Sequence, residues 1–212
     1  MSGSEGPRSV KIGADERTGW SSERPRKSGA PERPPDISVR CKVLRPAEAL
    51  RYSPGSLLLI VSASEADREA LAERVIEQKG ALLSISKVRT LLAGRVPQEE
   101  MDARAAELLD AAVSKRLGAN ESTVVVTSGL DPDERERLAR IAAAAKRPRH
   151  LILLETARDQ VAEDDLAPLN ELRRRLDAGE LGAEGFDTAL RLGGDSIAEL
   201  KRIVFRPAPR DD

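Results

Sequence analysis

The chain has 212 residues, 35 Lys and Arg against 36 Asp and Glu, a formal net charge of −1, and only 2% aromatic residues. Near-neutral charge excludes a molecule-wide field of the kind that gathers nucleic acid or anionic membranes, and so few rings leave little with which to stack bases. The single cysteine, Cys41, excludes an intramolecular disulfide and fits a reducing, cytoplasmic setting. No apolar run approaches the roughly 20 residues a bilayer demands, and the N-terminal residues lack a signal-peptide stretch, so no membrane association is expected.

Residues 1–36 are rich in Ser, Gly, Pro, Arg and Glu. Few of them can enter a core, so ordering the segment would cost more entropy than burial returns, and a disordered tail is expected. Its basic residues Arg24, Arg26, Lys27 and Arg33 offer a contact for nucleic acid, and Trp20 an anchor for a partner groove. Residues 37–55 read as a connecting segment, residues 56–206 as the folded domain, and residues 207–212 as a C-terminal tail.

Within the domain, the apolar run Leu57-Leu58-Leu59-Ile60-Val61 follows a Pro54-Gly55 turn and predicts a strand buried on both faces. A helix over 65–78 carries Leu71, Val75 and Ile76 on one stripe, and a second short strand is expected over 81–85. Met101, Ala105, Leu108, Leu109, Ala112, Val113 and Leu117 recur at helical spacing until Gly118. A third strand covers 123–127. Asp131 and Pro132 then open another helix, with Glu134 placed for a capping box. A fourth strand spans 151–154, a helix is marked by Leu166, Leu169, Leu172 and Leu176, and a strand over 188–192 precedes a short helix or strand ending at Phe205. Strands alternating with helices predict a three-layer α/β/α sandwich around a mainly parallel sheet.

The order of these elements, with Ala112-Val113-Ser114-Lys115-Arg116-Leu117 before Thr123-Val124-Val125-Val126, Leu130-Asp131-Pro132-Asp133-Glu134 after it, and Glu184-Gly185-Phe186-Asp187 before the last strand, resembles the kinase domain of polynucleotide kinase-phosphatases and related P-loop kinases. The resemblance covers about residues 55–205 and implies a P-loop NTPase-like fold. In that family the first strand enters G-x-x-x-x-G-K-[ST], whose backbone N–H groups, lysine and hydroxyl hold phosphate and magnesium. The corresponding stretch here is Ser62-Ala63-Ser64-Glu65-Ala66-Asp67-Arg68-Glu69. It matches the motif's length but places Ser62 and Asp67 at the glycines, Arg68 at the lysine and Glu69 at the hydroxyl.

Ser64 is positioned to cap the following helix, and Glu65, Asp67 and Glu69 set carboxylates where phosphate would bind. The resemblance also implies Ser86 at the position of the acceptor-activating acid, near a retained Arg89. Val126 and Gly129 stand where relatives carry Asp and Asn. The resemblance places Arg158 at the arginine-bearing lid, as the remnant it would imply, followed by acidic Glu163-Asp164-Asp165.

Outside the resemblance, the only histidine, His150, opens a predicted strand and reads as structural. Glu163-Asp164-Asp165 fits no calcium loop, and Arg173-Arg174-Arg175 points its charges in different directions around a helix. The expected protein is therefore a pseudo-kinase, with no catalytic residue, no metal ligand set and no cofactor. It serves as a binding or regulatory scaffold for a protein partner. Remnant nucleotide contacts would be Arg68, Ser86, Arg89 and Arg158. Two alternatives remain: a divergent ATP- and magnesium-binding kinase using Arg68 and Arg89, and a nucleic-acid-binding protein using the basic tail.

Overall fold

A computed structural model of the chain describes residues 35–207. Trp20, Arg24, Arg26, Lys27 and Arg33 lie outside the described residues, as do residues 208–212.

In chain order the elements are β1 (Lys42–Leu44), β2 (Ala49–Tyr52), β3 (Leu57–Val61), α1 (Glu65–Val75), β4 (Leu82–Ser84), α2 (Ile85–Leu92), α3 (Met101–Gly118), β5 (Thr123–Val126), α4 (Pro132–Ala144), β6 (Arg149–Leu154), α5 (Glu163–Asp177), β7 (Thr188–Leu192), α6 (Asp195–Glu199) and β8 (Arg202–Phe205). Six strands form one sheet in the order β1-β7-β6-β3-β5-β4, parallel throughout. A separate parallel ribbon pairs β2 with β8. The expected α/β/α sandwich around a mainly parallel sheet is the fold.

The strand period of two assigns the layers. Leu57, Leu59 and Val61 of β3 face one core with Leu109, Val113 and Leu117 of α3, Leu138 of α4 and Leu172 of α5. Leu58 and Ile60 face the other core, built from Leu71 and Val75 of α1 and from Tyr52, Ile203 and Phe205 of the ribbon. Every residue of β3 is buried because both of its faces are covered, which is why it reads as an unbroken apolar run.

Several expectations shift in detail. Residues 37–55, expected as a connection, carry β1 and β2. The first helix stops at Val75, and Ile76 turns extended to bridge Ile203. The strand expected over 81–85 ends at Ser84, whose hydroxyl accepts from the Lys87 amide at 3.3 Å and starts α2, a helix the pattern did not predict. Both a helix and a strand, α6 and β8, occupy the stretch before Phe205.

Glu134 makes no capping box. Asp131 accepts from the Asp133 amide at 3.0 Å, while the Glu134 carboxylate accepts from the Ser128 amide at 2.9 Å and from the Ser128 hydroxyl at 2.6 Å. Among the described residues no helix is long and apolar enough to cross a membrane.

His150 is a core residue. Its ring stacks on Tyr52 with centroids 4.3 Å apart, and its Nδ1 lies 2.9 Å from the Thr188 hydroxyl. Burial pushes its pKa down to about 4, against the opposing pull of Asp187. A buried ion group fastens the opposite layer. Arg135 of α4 donates to both oxygens of Glu184, at 3.0 and 3.1 Å, and to the Leu130 carbonyl at 2.7 Å. Arg175 of α5 donates to the same Glu184 carboxylate.

Candidate functional site

In open parallel sheets, ligands bind beyond the carboxyl ends of the strands, where connections leave a central strand in opposite directions. Here that strand is β3, flanked by β5 and β6. The chain runs from β3 through α1 to β4 on one side, then crosses by way of α4 from β5 to β6 on the other. The crevice is therefore bounded by Ser62, the loop after β5 at Thr127 and Ser128, and the segment after β6 at Glu155 and Thr156.

The chain's own side chains fill this crevice. Arg68 is 2% exposed. One guanidinium nitrogen donates to the Ser62 carbonyl and the other to the Ser128 carbonyl, the latter at 2.7 Å, so the group laces the end of β3 to the end of β5. Burial lowers the Arg68 pKa, opposed by the fields of Glu65, Glu134, Glu69 and Asp165. On the other side, the hydroxyls of Ser62 and Thr156 meet at 2.8 Å and tie β3 to β6. Thr127 donates to the Ile60 carbonyl at 3.2 Å. Ser128 in turn is held by the buried Glu134 carboxylate.

The connection from β3 to α1 is only Ser62-Ala63-Ser64. The stretch that matches a phosphate loop in length is thus mostly helix: Glu65, Ala66, Asp67 and Arg68 lie within α1. Ser64 has extended backbone, φ −94° and ψ 116°, and its hydroxyl accepts from the Asp67 amide at 3.3 Å. That bond satisfies one of the amides a phosphate would otherwise take. Glu65 and Asp67 occupy the first turn, where carboxylates complement the positive end of the helix dipole.

The four remnant positions do not converge on one open cavity. Arg68 points into the protein. Ser86, on α2, donates to the Glu65 carboxylate. Arg89 holds Asp102 of α3 at 2.9 Å. Arg158 is exposed in the short 3-10 turn Arg158–Gln160 after β6. Ser84 donates to Glu69, so two carboxylates of α1 are joined to α2 by serine hydroxyls.

Beside this packed crevice is a cleft of about 620 Å³ between α1, the end of β6 and α6. Its walls include Ala70, Leu71, Leu154, Ala157 and Ile197. Most of its polar groups are already engaged. Arg74 donates to the carbonyls of Leu200 and Ile197, each at 2.7 Å. Thr156 holds Ser62, and Glu155 is held by Arg173 and Arg191. Burial pushes the Glu155 carboxyl up, but the two guanidinium groups outweigh it and hold the carboxyl below its ordinary range. Asp67 also lines the cleft, and among the described residues no side-chain donor reaches its carboxylate. The sequence pattern drew attention to Asp67 as a helix-start acid but contained no sign of the cleft, whose walls come from three separated segments.

No family model and no curated protein matches the chain. The crystal structure of a candidate kinase from Chloroflexus aurantiacus j-10-fl is similar to it, with a TM-score of 0.43 and 14% identity over 66% of this chain and 85% of that one. A likeness of that size carries no argument about activity. The fold rests on the strand order itself.

Proposed function

We propose that this chain is a non-catalytic protein of kinase-like fold that works as a binding or regulatory scaffold for another protein, without ATP or magnesium. The observation that supports this reading is the state of Arg68. The residue at the place of a phosphate-binding lysine is buried, and its guanidinium is spent on two backbone carbonyls of the chain itself. Two of its N–H donors are engaged in this way, and its Nε is buried without a partner among the described residues, so the group is held inside the protein. Phosphoryl transfer relies almost wholly on positioned positive charge. The carboxylates of Glu65 and Asp67 add repulsion toward a triphosphate at the same helix end. Arg89, the other cation of the nucleotide-binding alternative, pairs at the surface with Asp102 at 2.9 Å, away from Arg68.

Isothermal titration with ATP and magnesium, followed by a transfer assay to a 5′-hydroxyl nucleic acid end, tests the proposal. No heat and no transfer are expected. Micromolar affinity together with transfer would overturn it.

A further inference from the structure

We propose that α6 is a flap over the cleft beside α1, hinged at Gly194 and latched by Arg74. Residues 194–199 run between two fixed points. On one side, the Leu192 carbonyl accepts from the Glu155 amide at 2.8 Å. A Cβ on Gly193 would lie 3.0 Å from the Glu155 side chain, which Arg173 and Arg191 hold in place. On the other side, Leu200 is fully buried and the Lys201 amide donates to the Glu48 carbonyl at 2.8 Å. Between these points α6 contains no buried residue. A segment with so little buried surface opens at low free energy, whatever the stability of the core beneath it.

Gly194 supplies the hinge. Its φ of +54° and ψ of −133° form a backbone conformation that residues with a Cβ rarely adopt, and the space around it is open. The Ser196 hydroxyl donates to the Gly193 carbonyl at 2.8 Å and accepts from the Gly193 amide at 3.0 Å, which keeps the closed turn in shape. Arg74 of α1 supplies the latch. It donates to the Leu200 carbonyl at the fixed end and to the Ile197 carbonyl on the flap, each at 2.7 Å. Among the described residues, the Ile197 bond is the one hydrogen bond that reaches residues 194–199 from another element. Ile197 is half-buried against the second core and lines the cleft with Leu71 and Leu154. Swinging the flap outward uncovers that apolar wall and widens the cleft beyond its closed volume of about 620 Å³.

The test is native-state hydrogen exchange on the full chain, followed residue by residue. In the closed flap the Ile197 amide bonds the Gly194 carbonyl and the Leu200 amide bonds the Ser196 carbonyl. These two amides are expected to exchange roughly a hundredfold or more faster than those of β3 and β5. Arg74→Met keeps the stem and removes both donors, and should speed them by at least about tenfold more. The β3 and β5 amides should stay within about twofold of the parent. Arg74→Lys can reach one carbonyl and should fall between. Gly194→Ala strains the closed hinge without touching the latch and should speed the same two amides.

Flap amides as protected as those of β3 overturn the inference. So does an Arg74→Met effect that is absent, or that spreads equally to the central strands.

Discussion

Replacing Arg68 by methionine keeps most of the stem volume and deletes the guanidinium. In the parent, that group makes two charge-assisted bonds, to the carbonyls of Ser62 and Ser128. Hydrogen bonds to a charged partner contribute about 1.5–3 kcal/mol each, and the unfavourable desolvation of a buried cation offsets part of that. A net loss of about 2–4 kcal/mol is expected for Arg68→Met. For a domain of this size each kcal/mol moves the thermal midpoint by about 2–4 °C, so the variant should melt about 5–15 °C lower by circular dichroism. Arg68→Lys should fall between the two, because one ammonium cannot reproduce the planar fork that spans both strand ends. A midpoint within about 2 °C of the parent, coupled with loss of any nucleotide affinity, would refute the reasoning. It would mean that Arg68 is held for a ligand and contributes little to joining β3 and β5.

Other outcomes follow from the same physical arguments. Glu184→Gln leaves Arg135, 4% exposed, as a buried cation without its carboxylate, and should cost about 3–5 kcal/mol in urea unfolding; a paired Arg135→Met, Glu184→Leu variant should recover much of it, and no recovery would count against the assignment. His150 stays neutral in the fold down to about pH 4, whereas in the unfolded chain it protonates near ~6.5. The unfolded state therefore binds more protons between those values, so the contribution is full above pH ~6.5 and declines as pH falls, by about 3 kcal/mol at the lower end. Unfolding at pH 7.5 and 5.5 should show this slope in the parent and not in His150→Asn. Gly182→Ala places a methyl group against the Val39 carbonyl and should lower the melting temperature, with faster amide exchange at Val39, whose amide donates to the Gly182 carbonyl at 2.9 Å.

The buried elements were the legible ones. β3, β5, β6 and β7 announce themselves because burial on one or both faces forces apolar patterning. β1 and β2 did not, because β1 is an exposed sheet edge of three residues and β2 belongs to a two-stranded ribbon, so neither sustains an apolar run. α2 was hidden by the apolar Leu82-Leu83 that precedes it, although Ser84 is a cap residue and was a usable signal.

At the site, the Ser64 cap could be read locally because its bond reaches only three residues ahead. The destination of Arg68 could not, since its partner carbonyl at Ser128 lies 60 residues away and a backbone oxygen leaves no mark in sequence. Glu134 misled for a related reason: its spacing from Asp131 suits a capping box, yet the Ser128 amide and hydroxyl compete for the same carboxylate and win.

The way β1 and β2 are paired has a consequence for biosynthesis. β1 joins β7, and β2 joins β8, so the earliest strands to leave a ribosome find their partners among the latest. Tyr52 cannot rest on Phe205 until that residue has been made. The central strands can assemble first, while the opening strands wait with their backbone groups open to solvent or to a chaperone. Such distant pairings slow folding, since the loop they close must be paid for in entropy before contact returns anything. Without β8, β2 has no partner strand and Tyr52 has no Phe205 to rest on, so the second core stays uncovered.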